Sequence, residues 1–242
     1  MKDKPWLPYV LPFGLYMGFL LLQSRLPDDS LTWMYPIRAL TIAGSLWYFR
    51  RSYAELLPTH WRGVGMWTFA IAIGIFAIVI WIGIDPYYPK LNYLMTQFSR
   101  WLGSLMGQPP PASPIAAPAP FDPTTISSLA GRYAFIAFRI FGAAVVVAFM
   151  EEIFWRGFII RWLIKEDFQS VPVGAFTWSS FLITVAFFGL EHDQWLAGLI
   201  CGALYNWLYY RTKSIPACVI AHATSNAALA AYVLYTGDWK FW

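Results

Sequence analysis

Charged residues are scarce in this sequence. Asp, Glu, Lys and Arg make up 12% of the 242 residues, whereas a soluble domain carries about 25%. Hydrophobic residues make up 58% of the chain, and the mean hydropathy is +0.49. A water-soluble globule of this size has too little interior to hide that much apolar surface. The composition therefore excludes a soluble enzyme, a disordered tail and a disulfide scaffold, and it predicts an all-α, polytopic membrane protein.

Cysteine is nearly absent, and the basic residues form no cluster. The two cysteines, Cys201 and Cys218, lie in apolar runs and are too few for a disulfide framework or a cysteine-based zinc site. The net charge is +4, but the 17 Lys and Arg residues are scattered along the chain instead of forming a stripe that follows a phosphate backbone. The sequence therefore predicts no nucleic-acid partner, and basic loops at a lipid bilayer explain the charge.

Apolar runs predict a transmembrane helical bundle of about seven spans, with a range of six to eight. A membrane-spanning helix needs about 20 predominantly apolar residues. The candidate runs lie near residues 6–23, 31–49, 64–84, 131–163, 175–190, 194–210 and 215–235. Only three residues separate the fifth run from the sixth, so we expect this turn to lie within protein.

A proline-rich segment separates the first three spans from the last four. Residues 109–123 contain seven prolines, a composition that favours extended polyproline II over a helix. We interpret 109–124 as an outer loop that acts as a spacer, with a docking site for a proline-recognising partner as the alternative. It joins N-terminal transmembrane helices in residues 1–108 to a second membrane domain in residues 125–242.

The distribution of basic residues predicts the orientation. With a cytoplasmic N-terminus, nine Lys and Arg residues fall in inner segments and four in outer segments, which is the usual asymmetry of membrane proteins. The inner residues are Lys2, Lys4, Arg50, Arg51, Arg62, Arg161, Lys165, Arg211 and Lys213, and the outer ones are Arg25, Lys90, Arg100 and Lys240.

Several polar side chains lie inside or beside the apolar runs of the second half. They are Glu151, Glu152, Arg156, Glu191, His192, His222 and Asn226. A charged residue near the centre of a spanning helix costs roughly 2.5–3.5 kcal/mol on insertion scales, so such residues pair, line a wet cavity or take part in chemistry. We interpret them as a functional site, whereas His60 belongs to an interfacial loop and has no assigned role.

Helical spacing sorts these side chains into pairs. Residues four apart share a helix face, which predicts an ion pair between Glu152 and Arg156 and leaves Glu151 on a different face. The same spacing places Phe188 beside His192, and His222 on one stripe with Asn226. Taken singly, Arg156 has an alternative interpretation as a snorkelling flank, and Asn226 as a bond between helices. Glu191 and Asp193 have an alternative interpretation as water-facing turn residues.

The residue types are sufficient for peptide hydrolysis. A buried glutamate such as Glu151, helped by an imidazole, can remove a proton from water, and Asn226 with a histidine N–H can stabilise the oxyanion. The sequence has no Gly-x-Ser-x-Gly turn that would present a serine nucleophile. A zinc site formed by Glu151, His192 and His222 is the alternative, although the His-Glu-x-x-His signature is absent.

Three ordered motifs resemble the CPBP family, which includes the CAAX prenyl endopeptidases and the Abi-type bacterial intramembrane proteases. Residues 151–157 read EExxxRG, residues 188–192 read FxxxH and residues 222–226 read HxxxN. The resemblance covers about residues 145–235, and the first half of the chain matches no family that we can name.

The resemblance implies an endopeptidase whose site lies in the bilayer and opens towards the cytoplasm. Glu151 would activate water with the assistance of His192, and His222 with Asn226 would stabilise the oxyanion. Glu152 and Arg156 would support the first of these helices, and Phe188 would line the site. The substrate would be a membrane-associated protein or peptide, with or without a lipid modification, at the bacterial inner membrane.

No cofactor is favoured, and a divalent metal such as zinc is the alternative. A non-catalytic membrane scaffold is a further alternative. A proton-coupled transporter is disfavoured because the two halves show no internal repeat.

Overall fold

Eight α-helices and no β-strand make up the computed structural model, which describes residues 4–27, 30–57, 63–107 and 121–242. They are α1 (Leu7–Gln23), α2 (Leu31–Phe49), α3 (Val64–Ile84), α4 (Leu91–Leu105), α5 (Leu129–Ile164), α6 (Trp178–Leu190), α7 (Trp195–Thr212) and α8 (Ile215–Thr236). The predicted all-α bundle is confirmed. His60 and residues 109–120 of the proline-rich loop lie outside the described residues.

Each predicted span coincides with a helix. The helices Val64–Tyr87, Leu129–Ile164 and Ile215–Thr236 are long and apolar enough to cross a membrane, while α1 and α6 are shorter apolar helices. The chain is therefore an integral membrane protein. Helix α4 was not predicted, because its apolar residues alternate with polar ones and form no continuous run.

Helix α8 lies at the centre of the bundle, in contact with α3, α5 and α7. Its closest neighbour is α3, where a Cβ added to Gly74 would lie 2.3 Å from the carbonyl oxygen of Ala221. Small residues permit such close approach between helices in a membrane. The side chain of Ser214 accepts a hydrogen bond from the backbone N–H of Ala217 and caps the start of α8, and Gly237 ends the helix at a φ of 72°.

Helix α5 is the longest helix and is not uniform. Two π-helical segments, Gly142–Val147 and Ile153–Ile159, interrupt its α-helical geometry. A π-helical segment has i→i+5 hydrogen bonds and often occurs at a functional site. The adjacent residues Glu151 and Glu152 lie in the short α-helical stretch between the two segments.

The α6–α7 hairpin is shorter than the helices around it. Helix α6 has 13 residues and α8 has 22, which correspond to lengths of about 20 and 33 Å at 1.5 Å per residue. A Cβ on Gly198 would lie 3.0 Å from the Cα of Gly189, so these glycines bring the two helices of the hairpin together. The turn at residues 191–194 contacts the start of α4 through Asp193.

Candidate active site

The adjacent glutamates of α5 approach one imidazole of α8. His222 donates its Nδ1 proton to Glu152 Oε1 at 2.8 Å, and its Nε2 lies 3.9 Å from Glu151 Oε2. The proton is assigned to Nδ1 because Glu152 Oε1 also accepts from Arg156, as expected of an ionised carboxylate. Glu151 is 5% exposed, and its Oε2 has no hydrogen-bond partner among the described residues. The free oxygen of Glu151 thus lies beside an imidazole that Glu152 orients.

Arg156 is a buried structural cation. It is 1% exposed and donates from Nη1 to Glu152 Oε1 at 3.2 Å, which is the pair that the spacing predicts. Its Nε donates to Asn206 Oδ1 at 3.1 Å, and its Nη2 donates to the Gly202 carbonyl at 3.3 Å. The snorkelling alternative for Arg156 is therefore wrong. These bonds connect α5 to α7, and sequence reasoning missed Asn206 because its partner lies 50 residues away.

An aromatic ring separates the two histidines. The ring centroid of Phe188 lies 5.2 Å from that of His192 and 6.1 Å from that of His222. His192 donates from Nδ1 to the Phe188 carbonyl oxygen at 2.8 Å, since a carbonyl only accepts. In the neutral ring, Nε2 of His192 therefore carries a lone pair and can accept a hydrogen bond or bind a metal.

Asn226 bonds two helices and also faces a cavity. Its Nδ2 donates to the Ala143 carbonyl oxygen of α5 at 2.8 Å. An amide nitrogen has two hydrogens, so one remains for a ligand. Asn226 and His222 both line the cavity described below, as expected from their common stripe.

Glu191 belongs to the cluster, whereas sequence reasoning offered an alternative in which it faces water. Its Oε1 accepts a hydrogen bond from Trp155 Nε1 at 3.3 Å. Glu151, Glu191 and His192 each offer one metal-ligating atom, and these atoms lie within 4.8 Å of one another. This group differs from the predicted metal set, which has His222 in place of Glu191. The sequence placed Glu191 among the site residues, but its hydrogen bond to Trp155, 36 residues away, follows no local pattern.

Asp193 also has a partner. Its Oδ1 accepts from the backbone N–H of Asn92 at 2.9 Å, and its carbonyl oxygen accepts from the backbone N–H of Leu91 at 2.9 Å. Asp193 therefore caps the first turn of α4 and remains partly exposed at the turn.

A cavity of about 250 Å³ adjoins the cluster. Among the predicted site residues, Phe188, His192, His222 and Asn226 line it, and Glu151 lies behind His222. Its other lining residues are Ala77, Ile78, Trp81, Gln194, Cys201, Tyr205, Ser225, Leu229, Lys240, Phe241 and Trp242. The cavity therefore occupies the space between the α6–α7 turn, α3, α8 and the segment after α8. It reaches the end of the bundle at which α3 and α8 end.

The lysine at the mouth of this cavity is held by two carboxylates. Lys240 Nζ lies 3.2 Å from Asp85 Oδ2 and 3.2 Å from Asp238 Oδ2. Slight burial lowers the pKa of Lys240, but hydrogen bonds to the two carboxylates outweigh this effect, so its pKa lies above the ordinary value. Lys240 is therefore charged at neutral pH and holds the segment after α8 against the end of α3.

The cavity position brings two expectations into conflict. If the N-terminus is cytoplasmic, α3 and α8 both end on the outer side, and the cavity opens outwards. The resemblance implies a site that opens towards the cytoplasm. Only one of the two expectations is compatible with this fold.

Comparison with known proteins gives one family. Residues 133–228 match the sequence model of a family described as type II CAAX prenyl endopeptidase Rce1-like. No curated protein and no solved structure matches the chain. The matched range contains all three motifs, so the resemblance drawn from them is confirmed.

Proposed function

We propose that this chain, whose residues 133–228 belong to the CPBP family of CAAX-type intramembrane proteases, hydrolyses a peptide bond of a membrane-associated protein or peptide with Glu151 as the general base. The observation that carries this proposal is the unpartnered, buried Oε2 of Glu151. A carboxylate oxygen without a partner is available to accept a proton from water. Two imidazoles lie close enough to share that water.

The first step is the formation of hydroxide. Glu151 takes a proton from a water molecule, and Nε2 of His192 accepts a hydrogen bond from the other O–H of that water. The hydroxide attacks the carbonyl carbon of the scissile bond and gives a tetrahedral oxyanion. The Nδ1 bond of His192 to Phe188 supports this role, because it fixes the ring with its lone pair at Nε2.

The second step requires donors for the oxyanion. The free N–H of Asn226 is one donor, and a ring N–H of His222 is the other. The carboxylates of Glu152 and Glu151 flank His222, with Glu152 Oε1 at 2.8 Å from Nδ1 and Glu151 Oε2 at 3.9 Å from Nε2, and they hold the ring in place. Glu151 then gives its proton to the leaving amine as the C–N bond breaks.

A metal-dependent version of the reaction has a specific observation in its favour. Glu151, Glu191 and His192 offer three ligand atoms within 4.8 Å, a donor set that suits zinc. These residues fit a divalent cation and would hold it. A bound zinc ion would lower the pKa of a coordinated water.

The test is the cleavage of a fluorogenic peptide that carries a covalently attached hydrocarbon chain. We expect wild-type protein in detergent to cleave it and Glu151→Gln to be inactive, because the amide cannot accept the proton. The matched control is Glu166→Gln, which removes an exposed carboxylate after α5 and should retain full activity. Cleavage by Glu151→Gln at the wild-type rate would end the proposal, and absence of cleavage by any form would favour a non-catalytic scaffold.

The same assay separates the two versions of the chemistry. Activity that survives a strong chelator supports the metal-free mechanism. Activity that is lost with the chelator and returns with zinc supports the metal site, and Glu191→Gln should then weaken zinc binding.

A further inference from the structure

An apolar groove lies between α2 and α5, away from the active-site cavity. Its volume is about 380 Å³, within the range of about 300–1,000 Å³ that is usual for ligand sites. Ala43, Leu46, Trp47 and Arg50 line it at helical spacings of three and four. None of its described lining residues also lines the active-site cavity. A ligand in this groove therefore leaves the site of the proposed peptide hydrolysis open.

The groove opens to the surface of the bundle. Trp47 is 68% exposed, and Phe141 and Val145 of α5, which also line the groove, are 39% and 44% exposed. Helix α5 is long and apolar enough to cross a membrane, so its exposed apolar side chains contact hydrocarbon and not water. A buried water molecule needs two to four polar partners, which this apolar surface does not provide. A hydrocarbon chain is therefore the ligand that fills the groove.

The groove has a cation where α2 ends. Arg50 directly follows the last residue of α2 and is exposed. Its guanidinium carbon lies 4.1 Å from the ring centroid of Trp47, and its Nη1 donates to the Trp47 carbonyl oxygen at 2.7 Å. Among the described residues, no acidic side chain forms an ion pair with Arg50. Most of its five N–H donors are therefore available to an anion.

A hydrocarbon groove beside an available arginine matches the two parts of a phospholipid. Tryptophan is enriched at the level of the lipid headgroups, basic pockets between spanning helices bind headgroups, and a guanidinium binds phosphate through two parallel N–H donors. Tyr53, three residues after Arg50, packs with Ile153 of α5. From Ile153 the groove continues along α5 to Phe141, about 18 Å of helix. An acyl chain therefore has room to extend from a headgroup at Arg50 along α5.

We propose that the groove binds an acyl chain of an anionic phospholipid, with the headgroup phosphate on Arg50. Val145 belongs to the first π-helical segment of α5, and Ile153 begins the second. The bound chain therefore packs against α5 on both sides of the Glu151–Glu152 pair and stabilises the helix that carries it. Lipid binding at this groove requires no peptidase activity.

The test is native mass spectrometry of the full chain in detergent, titrated with dioleoyl phosphatidylglycerol or with dioleoyl phosphatidylcholine. The two lipids have the same acyl chains, and only the first has a net negative charge. We expect the wild type to prefer phosphatidylglycerol. Arg50→Gln should weaken binding of phosphatidylglycerol at least about tenfold, the lower end of the range for a hydrogen bond to a charged group, and binding of phosphatidylcholine less.

The adjacent Arg51 is the matched control. It is exposed and is not among the residues that line the groove, so Arg51→Gln should leave binding of phosphatidylglycerol unchanged. Ala43→Phe fills the groove without removing the cation and should weaken binding of both lipids, whereas Thr41→Phe at an exposed position of the same helix should not. Phosphatidylglycerol should also raise the unfolding temperature of the wild type more than that of Ala43→Phe.

Three results would overturn the proposal. They are equal binding of the two lipids by the wild type, an equal effect of Arg50→Gln and Arg51→Gln, and undiminished binding by Ala43→Phe. Displacement of the lipid by the hydrocarbon-bearing peptide of the cleavage assay, or by dimerisation of the chain, would also contradict it, because the groove would then hold the substrate or a second copy. Since no turnover is measured, an inactive wild type would contradict the peptidase function and leave this test intact.

Discussion

The neighbouring carboxylates Glu151 and Glu152 differ in what they contact. Glu152 is fully buried, and its Oε1 accepts from both Arg156 and His222, whereas the ion-pair contact of Glu151 is the 3.9 Å approach of its Oε2 to Nε2 of His222. The removal of one member of a buried ion pair leaves the other charge uncompensated. Substitution of Glu152 should therefore lower stability, whereas substitution of Glu151 should lower activity alone.

We predict that Glu152→Gln lowers the free energy of unfolding by about 3 kcal/mol, the lower end of the range for breaking a buried pair. Glu151→Gln should retain wild-type stability because its Oε2 has no hydrogen-bond partner to lose among the described residues. Thermal unfolding in detergent measures both. Equal stability of the two variants would show that Arg156 does not depend on Glu152.

The spacing of residues along one helix predicts contacts within that helix but not contacts between helices. The Glu152–Arg156 pair follows from residues four apart. The contacts of Glu191 with Trp155 and of Arg156 with Asn206 join different helices, and no local pattern encodes which helices become neighbours. The geometric group of Glu151, Glu191 and His192 differs from the predicted metal set for the same reason.

The crossing of α3 and α8 positions His222 relative to α5. Gly74 lies against Ala221 and Thr224, with no space for a methyl group. Elsewhere on α3, a Cβ on Gly65 or Gly83 would meet nothing within 4 Å. Gly65 and Gly83 therefore serve as control positions for a substitution at Gly74.

We predict that Gly74→Ala destabilises the protein by about 1–3 kcal/mol, the usual cost of overpacking, and reduces activity by displacing His222. Gly83→Ala should leave both unchanged. Unfolding and cleavage assays on the two variants measure the difference. A neutral Gly74→Ala would mean that α3 moves away freely.

Elements were predictable where burial in lipid makes a continuous apolar run. All seven runs became helices, because a spanning segment must satisfy its backbone hydrogen bonds internally. Helix α4 was not predicted because it has no continuous apolar run, and Asp193, which caps it, comes about 100 residues later in the chain. The depth of the α6–α7 turn also depends on packing between glycines that are distant in sequence.

The orientation of the whole molecule decides which compartment the cavity faces. Basic residues favour a cytoplasmic N-terminus, which turns the cavity outwards. Cys201 and Cys218 are 3% and 0% exposed, so the wild-type chain should react little with a bulky thiol reagent. Reaction of a single introduced cysteine with such a reagent therefore shows on which side of the membrane that residue lies.

We predict that Lys240→Cys reacts with a bulky, membrane-impermeant maleimide in intact cells, because Lys240 lies at the mouth of the cavity. Lys165→Cys, in the exposed segment after α5, should react only after permeabilisation. If instead Lys165→Cys reacts in intact cells and Lys240→Cys reacts only after permeabilisation, the cavity faces the cytoplasm, as the resemblance implies. The orientation predicted from the basic residues would then be wrong for this chain.

Helix α5 carries charged side chains at several positions along its length. They include Arg139, the Glu151–Glu152 pair and Arg161, which donates to the carbonyl oxygens of Gly157 and Val171. One π-helical segment lies between Arg139 and the glutamates, and the other begins directly after them. An alignment with a relative that lacks either segment consequently needs a one-residue gap inside the helix. Without a gap at the first segment, the alignment would confuse Glu151, the proposed general base, with Glu152.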